Sequence, residues 1–118
     1  MPHHKLSGGW AEQRALRLLV GQGWQLRQRN FICRWGELDL VVEKPGRLLL
    51  VEVKGRSTGC DGWGVAALGW RKRRRLERAW RCWLAEHPSD AERDMELVYA
   101  LVTLPPLRRP VRWIRITA

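Results

Sequence analysis

Two acids and an amine, Asp39, Glu52 and Lys54, have the types and spacing to share a reaction centre. Two carboxylates held side by side suit a hard divalent cation, because Mg²⁺ takes one or two carboxylates and completes its shell with water and phosphate oxygens. A lysine beside such an ion places fixed positive charge where a phosphoryl group gains negative charge during transfer. Whether the three meet depends on the elements that carry them. Residues 37–43 and 48–54 are strand-like runs separated by Lys44-Pro45-Gly46-Arg47, a turn sequence, and they predict a β-hairpin.

An even-numbered loop centred on Pro45-Gly46 sets Leu38 opposite Val53, Leu40 opposite Val51 and Val42 opposite Leu49. One face is then wholly aliphatic. The other carries Asp39 opposite Glu52, Glu37 opposite Lys54, and Val41 opposite Leu50. A slip of one residue would turn polar side chains into the core, so burial selects this register. Pro-Gly is not a preferred two-residue hairpin turn, and a four-residue loop with the same pairing is expected. Opposed side chains have Cβ atoms about 5 Å apart. Two ionised carboxylates at that distance repel by about 3 kcal/mol at an effective dielectric of about 20. Two arrangements answer that repulsion: a solvated checkerboard of cross-strand ion pairs, or a shared cation. Two features favour the cation. The polar cluster sits at one end of the hairpin, and the run Leu48 to Lys54 reads as a central strand, where an unexplained acid is costly.

The rest of the chain supplies a frame. Residues 1–9 read as a mobile arm. A helical pattern starts at Trp10 with Ala11, Ala15, Leu18 and Leu19 on one stripe, and Gly21 and Gly23 end it. Residues 24–33 suit an edge strand. Residues 55–69 form a glycine-rich loop leaving the Lys54 end of the hairpin. A second helix over residues 71–87 carries Leu76, Ala79, Trp80, Trp83 and Leu84 on one face and stops at Pro88. Residues 96–103 and 111–116 complete the strands, joined across Pro105-Pro106. The expected fold is a single mixed α/β domain over residues 10–118, in the order α-β-β-β-α-β-β, with a central sheet flanked by helices.

Charge points to the partner. The chain has 118 residues and a net charge of +10, with 22 Lys+Arg against 12 Asp+Glu. Such a surplus favours a polyanion, nucleic acid or an anionic membrane face. In the second helix Arg71, Arg74, Arg78 and Arg81 recur on the side away from its apolar stripe, with Lys72 and Arg75 among them. These six read as phosphate contacts, against the plainer reading of a solvated face. Arg56, Ser57 and Thr58, just beyond Lys54, are further phosphate-binding candidates. No apolar run reaches the roughly 18 residues of a membrane span, and the first residues lack a secretory signal, so a cytoplasmic protein is expected. Cys33, Cys60 and Cys82 fit neither a disulfide framework nor a zinc ribbon. His3, His4 and His87 read as surface residues. Trp80 and Trp83 belong to the core, Trp24 and Trp113 to strands. For Trp63 and Trp70, burial is preferred over stacking on bases or a dimer interface.

Asp39 followed by Glu52-Val53-Lys54 resembles the signature of the PD-(D/E)XK nuclease superfamily. The likeness extends to Gly8-Gly9-Trp10-Ala11-Glu12-Gln13-Arg14-Ala15, Arg29-Asn30-Phe31, Gly36-Glu37-Leu38-Asp39-Leu40, Val51-Glu52-Val53-Lys54-Gly55-Arg56, and Lys72, Arg75-Leu76, Ala79 and Trp83-Leu84. Together these motifs resemble the YraN-like family of bacterial proteins, related by fold to archaeal Holliday-junction resolvases. The resemblance implies a restriction-endonuclease-like core and a Mg²⁺- or Mn²⁺-dependent endonuclease acting on DNA, branched DNA included. It implies Asp39, Glu52 and the Val53 carbonyl as metal ligands, Lys54 as catalytic cation, and Glu12 as a further ligand. It also implies 5′-phosphate and 3′-hydroxyl products and a homodimer; a membrane surface as partner is disfavoured because the arginine helix pairs its basic face with a tryptophan-rich core stripe that the fold needs. Without the resemblance, Glu12, at the border of the Ala11/Ala15/Leu19 stripe, reads first as an ordinary first-turn acid favoured by the helix dipole. Where the family has Arg-Phe-Asp, this chain has Asp94-Met95-Glu96, which leaves Glu96 as the candidate replacement. The competing function is a non-catalytic DNA- or RNA-binding adaptor or architectural module that keeps the nuclease fold.

Overall fold

A computed structural model of the chain describes residues 6–56 and 69–116. Its elements are α1 (Leu6–Gly21), β1 (Gln25–Cys33), β2 (Gly36–Lys44), β3 (Arg47–Arg56), α2 (Trp70–Glu86), a 3₁₀ turn (Pro88–Asp90), β4 (Asp94–Thr103) and β5 (Arg112–Ile116). The order is the expected α-β-β-β-α-β-β. The strands form one sheet in sequence order, with β1 at an edge and β3 in the centre, as their compositions suggest. Pairing is antiparallel except between β3 and β4, which run parallel with α2 as their crossover. Among the described residues no helix is long and apolar enough to cross a membrane.

Strand alternation divides the core in two. Leu40, Val42, Leu49, Val51, Val98, Ala100 and Val102 pack with Ala11, Ala15, Leu16 and Leu19 of α1. Val41, Leu48, Leu50, Leu97, Tyr99 and Leu101 pack with Leu76, Ala79, Trp80 and Trp83 of α2. The helices therefore cover opposite faces of the sheet. Trp80 and Trp83 stack with ring centroids 5.1 Å apart, and the Trp83 indole N–H donates to Gln28 Oε1 at 2.8 Å.

The end of the sheet nearest the Pro45-Gly46 turn is tied by charge. Arg27 makes a two-pronged contact with the buried Asp90, both bonds 2.9 Å. Arg93 reaches Glu43, Asp90 and the Lys44 carbonyl at 2.6, 2.9 and 2.8 Å. This network joins the segment after α2 to the β2–β3 hairpin.

Several expectations need correction. The helix begins at Leu6, so only residues 1–5 of the expected arm remain, and they lie outside the described residues. Gly8 and Gly9 hide that start, because glycine is a poor helix former. Leu18 is 40% exposed, and Leu16 takes its place in the core. The β2–β3 ladder continues to Lys44 opposite Arg47, leaving a two-residue turn instead of four. Pro45 followed by Gly46 at φ 74° has the residue order of a type II turn, and the Gly46 carbonyl accepts a hydrogen bond from Asp94 N–H. His87 is no plain surface residue: it stacks on Trp83 at 3.9 Å, with Nδ1 2.8 Å from the Trp83 carbonyl. Trp70 is 63% exposed, against the burial expected of it. Ser57, Thr58, Cys60 and Trp63 lie outside the described residues.

Candidate active site

The hairpin register is the expected one from Lys44–Arg47 down to Leu40–Val51, and there the ladder ends. Past that point the strands part. Asp39 is therefore not simply opposed to Glu52, nor Glu37 to Lys54: the Val53 N–H donates to Asp39 Oδ2 at 2.7 Å. A side-chain carboxylate has replaced the strand's main-chain acceptor. Leu38 turns with the parted strand and packs beside Phe31 in the α2-side core, away from its expected partner Val53 on the α1 side.

The parting opens a cleft of about 660 Å³ on the α2 face. Asp39, Glu52 and Lys54 line it together, as the sequence predicts, with Glu37, Lys72 and Arg75. Gly36 lets α2 come close. It holds φ 146° at the end of the Arg34-Trp35 turn, and a Cβ there would stand 3.3 Å from the Arg75 side chain.

Electrostatics within the cleft are strained and balanced. Burial, then the Asp39 carboxylate, push the Glu52 carboxyl up to about 9, while Lys72 and Lys54 pull it down. The Glu52 Oε1 atom is buried and finds no hydrogen-bond partner among the described residues. Lys72 Nζ lies 4.0 Å from Glu52 Oε2. Burial, then the neighbouring Lys54, bring the Lys72 ammonium down to about 8. Tyr99 pairs with Glu52 across the β3–β4 ladder. Its hydroxyl is buried without a described partner, and burial followed by the two acids holds it up at about 12.

The residues suit a dication in part. Asp39 and Glu52 offer hard oxygen donors, and the orphaned Glu52 oxygen is a position that a cation would satisfy. Glu12 is not brought in: it is buried on α1, on the other face of the sheet, with Oε1 3.8 Å from Arg29 Nη2. Among the described residues no group of three or more His, Cys, Asp or Glu gathers to hold a metal. Glu96 sits near the hairpin-turn end of β3, 2.9 Å from both Arg47 and Arg115, and does not line the cleft. Arg56 continues β3 opposite Thr103 and likewise lies outside the lining.

On α2, Arg71, Arg74, Arg78 and Arg81 are exposed on the side opposite Leu76, Ala79, Trp80 and Trp83, as their spacing predicts. Arg75 is exposed and also rims the cleft. Trp35 stands at the same rim, with the Arg34 and Arg78 guanidinium carbons 4.6 and 4.9 Å from its ring. A row of cations thus leads to the mouth that holds the two acids.

Residues 11–103 match the model of a family described as uncharacterised protein family UPF0102. The chain belongs to the UPF0102 family. The YraN-like resemblance read from the motifs thereby stands as membership. UPF0102 relatives are similar over most of their length. One from Prochlorococcus marinus strain MIT 9303 is 57% identical over 92% of this chain and 87% of its own. Another from Synechococcus sp. strain CC9902 is 46% identical over 98% and 97%. A third, from Halorhodospira halophila, is 46% identical over 75% and 73%.

In this UPF0102 chain two groups stand beside the acids without being expected there: Lys72, which lines the cleft, and Tyr99, whose ring lies 5.6 Å from Lys72 Nζ. Lys72 was grouped with the arginine face, yet it stands four residues before Leu76 and so belongs to the same stripe as Leu76, Ala79, Trp80 and Trp83. It is also the sole lysine between Arg71 and Arg75. That signal was available. Tyr99 carried none, because its role follows from the parallel pairing of β3 with β4.

Proposed function

We propose that the protein is a metal-dependent endonuclease that hydrolyses phosphodiester bonds in DNA. The reading rests above all on Asp39 and Glu52, carried by parted strands, meeting Lys54 and Lys72 in a single cleft. Asp39 and Glu52 would hold Mg²⁺ or Mn²⁺, which when bound polarises a phosphoryl oxygen and lowers the pKa of its water. Lys54 and Lys72 set ammonium groups against the scissile phosphate and stabilise the charge that builds on its oxygens. Arg75 grips a neighbouring phosphate at the cleft rim, and Arg71, Arg74, Arg78 and Arg81 align the strand beyond it. Cytoplasmic DNA, branched substrates included, is the matching substrate.

Cleavage of supercoiled and four-way-junction DNA with Mg²⁺ or Mn²⁺ tests this, comparing wild type with Lys54→Ala, Asp39→Asn and Glu52→Gln. Wild type should cut and all three variants should fail. Equal cutting by all four would trace the activity to a contaminant and sink the reading.

One observation favours a second reading, a non-catalytic nucleic-acid adaptor: Glu12 lies on the other face of the sheet, and among the described residues no third ligand gathers with Asp39 and Glu52. Calorimetric titration with Mg²⁺ separates the two. A nuclease binds the ion and Asp39→Asn loses it, whereas an adaptor has no need to bind it.

A further inference from the structure

A second basic surface lies on the α1 side of the sheet, away from the cleft. Two grooves meet there. One, of about 690 Å³, runs between α1 and the β4–β5 loop and is lined by Trp10, Arg14, Leu107, Arg108 and Arg109, with prolines 105, 106 and 110. The other, of about 230 Å³, runs along α1 past Gln13, Arg17 and Leu18. Trp10 and Arg14 line both grooves, so the indole forms a wall they share.

Three features of this surface point to one kind of occupant. Trp10 is 41% exposed, and Leu18 and Leu107 beside it are similarly bare. Four arginines line the two grooves, and among the described lining residues there is no carboxylate to neutralise them. Arg14 is held in place, its guanidinium carbon 5.9 Å from the Trp10 ring and Nη2 donating to the Arg109 carbonyl at 3.3 Å. Its Nε is buried and has no hydrogen-bond partner among the described residues. An exposed indole with cations around it is the pairing that holds unpaired bases: the base stacks on the ring and the backbone meets the charges. Duplex DNA cannot use it, because its base faces are already stacked on one another. That the strand is DNA and not RNA rests on the reading of the neighbouring cleft as a DNA nuclease.

We propose that these grooves bind single-stranded DNA, with one base stacked on Trp10 and the flanking phosphates on Arg14, Arg17, Arg108 and Arg109. The site is distinct from the α2 arginine face and does not depend on catalysis. Thr103, which lines the larger groove, pairs with Arg56 two residues beyond Lys54. The grooves therefore flank the same end of β3 as the cleft, and a strand unpaired there would leave a duplex lying on α2.

Fluorescence anisotropy tests the proposal, using labelled oligo-dT of about 12 nucleotides, a length one such site covers. EDTA is present throughout, so a failed cleavage assay and a failed binding assay remain separate results. Trp10→Ala should weaken oligo-dT binding about tenfold, within the range of a single lost base stack. Trp10→Phe should keep most of the affinity. Binding of a blunt duplex, and of an abasic strand of equal length, should be unchanged by Trp10→Ala. Unaltered oligo-dT affinity in Trp10→Ala would overturn the proposal, and so would an equal loss on the abasic strand. Arg108→Glu/Arg109→Glu, in an exposed loop, is a second variant should Trp10→Ala fold poorly. It must weaken oligo-dT more than duplex, and an equal effect on both also overturns the site.

Discussion

Asp39 has two tasks, and they can be separated by substitution. Its carboxylate faces the cleft and also accepts the Val53 N–H. Asp39→Asn keeps an oxygen acceptor for that N–H, whereas Asp39→Ala leaves a buried donor unsatisfied, at a cost of about 1–3 kcal/mol. Both variants should be inactive, and urea melts should show only the alanine variant destabilised. Identical melts would mean that the hydrogen bond contributes nothing. Glu52 is the reverse case. Buried beside another acid, it must take up a proton when no cation is bound, which costs stability near neutral pH, so Glu52→Gln should leave the metal-free protein at least as stable as wild type. Activity should fall by at least about 100-fold, more than the loss of a supporting partner gives. A less stable but active variant would make the acids part of a structural ion-pair network. Lys72 and Arg78 should divide along kinetic lines. Lys72→Ala should lower kcat with duplex affinity intact, and Arg78→Ala should weaken duplex binding with kcat nearly intact. Asp39, Glu52 and Lys54 were legible because their spacing on a hairpin decides their meeting. Lys72 was obscured by the arginines around it, although its helical phase marked it out.

At the level of elements, the hairpin's register was legible because sliding it by one residue would bury acids. Its opening past Leu40–Val51 was not, because nothing in the pattern of apolar residues says that Asp39 will stand in for a carbonyl. The place of Glu12 near the acids is implied by the resemblance alone; periodicity does not say which sheet face α1 covers, and Glu12 is found on the face away from the cleft. The two-residue turn was missed for a similar reason: β4 braces it through Asp94 N–H, a contact distant in sequence. The network at that end governs acid stability. The two-pronged Arg27 contact, helped by Arg93, holds the Asp90 carboxyl down at about 2, below its ordinary 3.8. Its contribution is thus complete above about pH 3.8 and disappears as pH falls toward 2. Asp90→Asn should lower the melting temperature at neutral pH by at least about 4 °C, the shift that 1 kcal/mol gives in a domain of about this size. The gap from wild type should close between pH 4 and 2. A gap that persists at pH 2 would place the stabilisation outside the ion pairs.

For the whole molecule, the excess of ten positive charges is unevenly spread, with α2 presenting Arg71, Arg74, Arg75, Arg78 and Arg81 to solvent. If all five meet phosphates, duplex affinity should fall with salt at a log–log slope of about −4.5. Arg74→Gln/Arg78→Gln should flatten it by about 2. Anisotropy titrations between about 50 and 200 mM salt measure both, and a flat response would detach α2 from the nucleic acid. If the proposed cleavage is the function, the gap between β2 and β3 also dictates how such a molecule decays once that activity is no longer under selection. Asp39 is mortared into the sheet through Val53, while Glu52 burdens the fold with a submerged acid. An idle lineage would shed Glu52 early and retain aspartate or asparagine at 39, so those two letters together would tell a working descendant from a pensioned one.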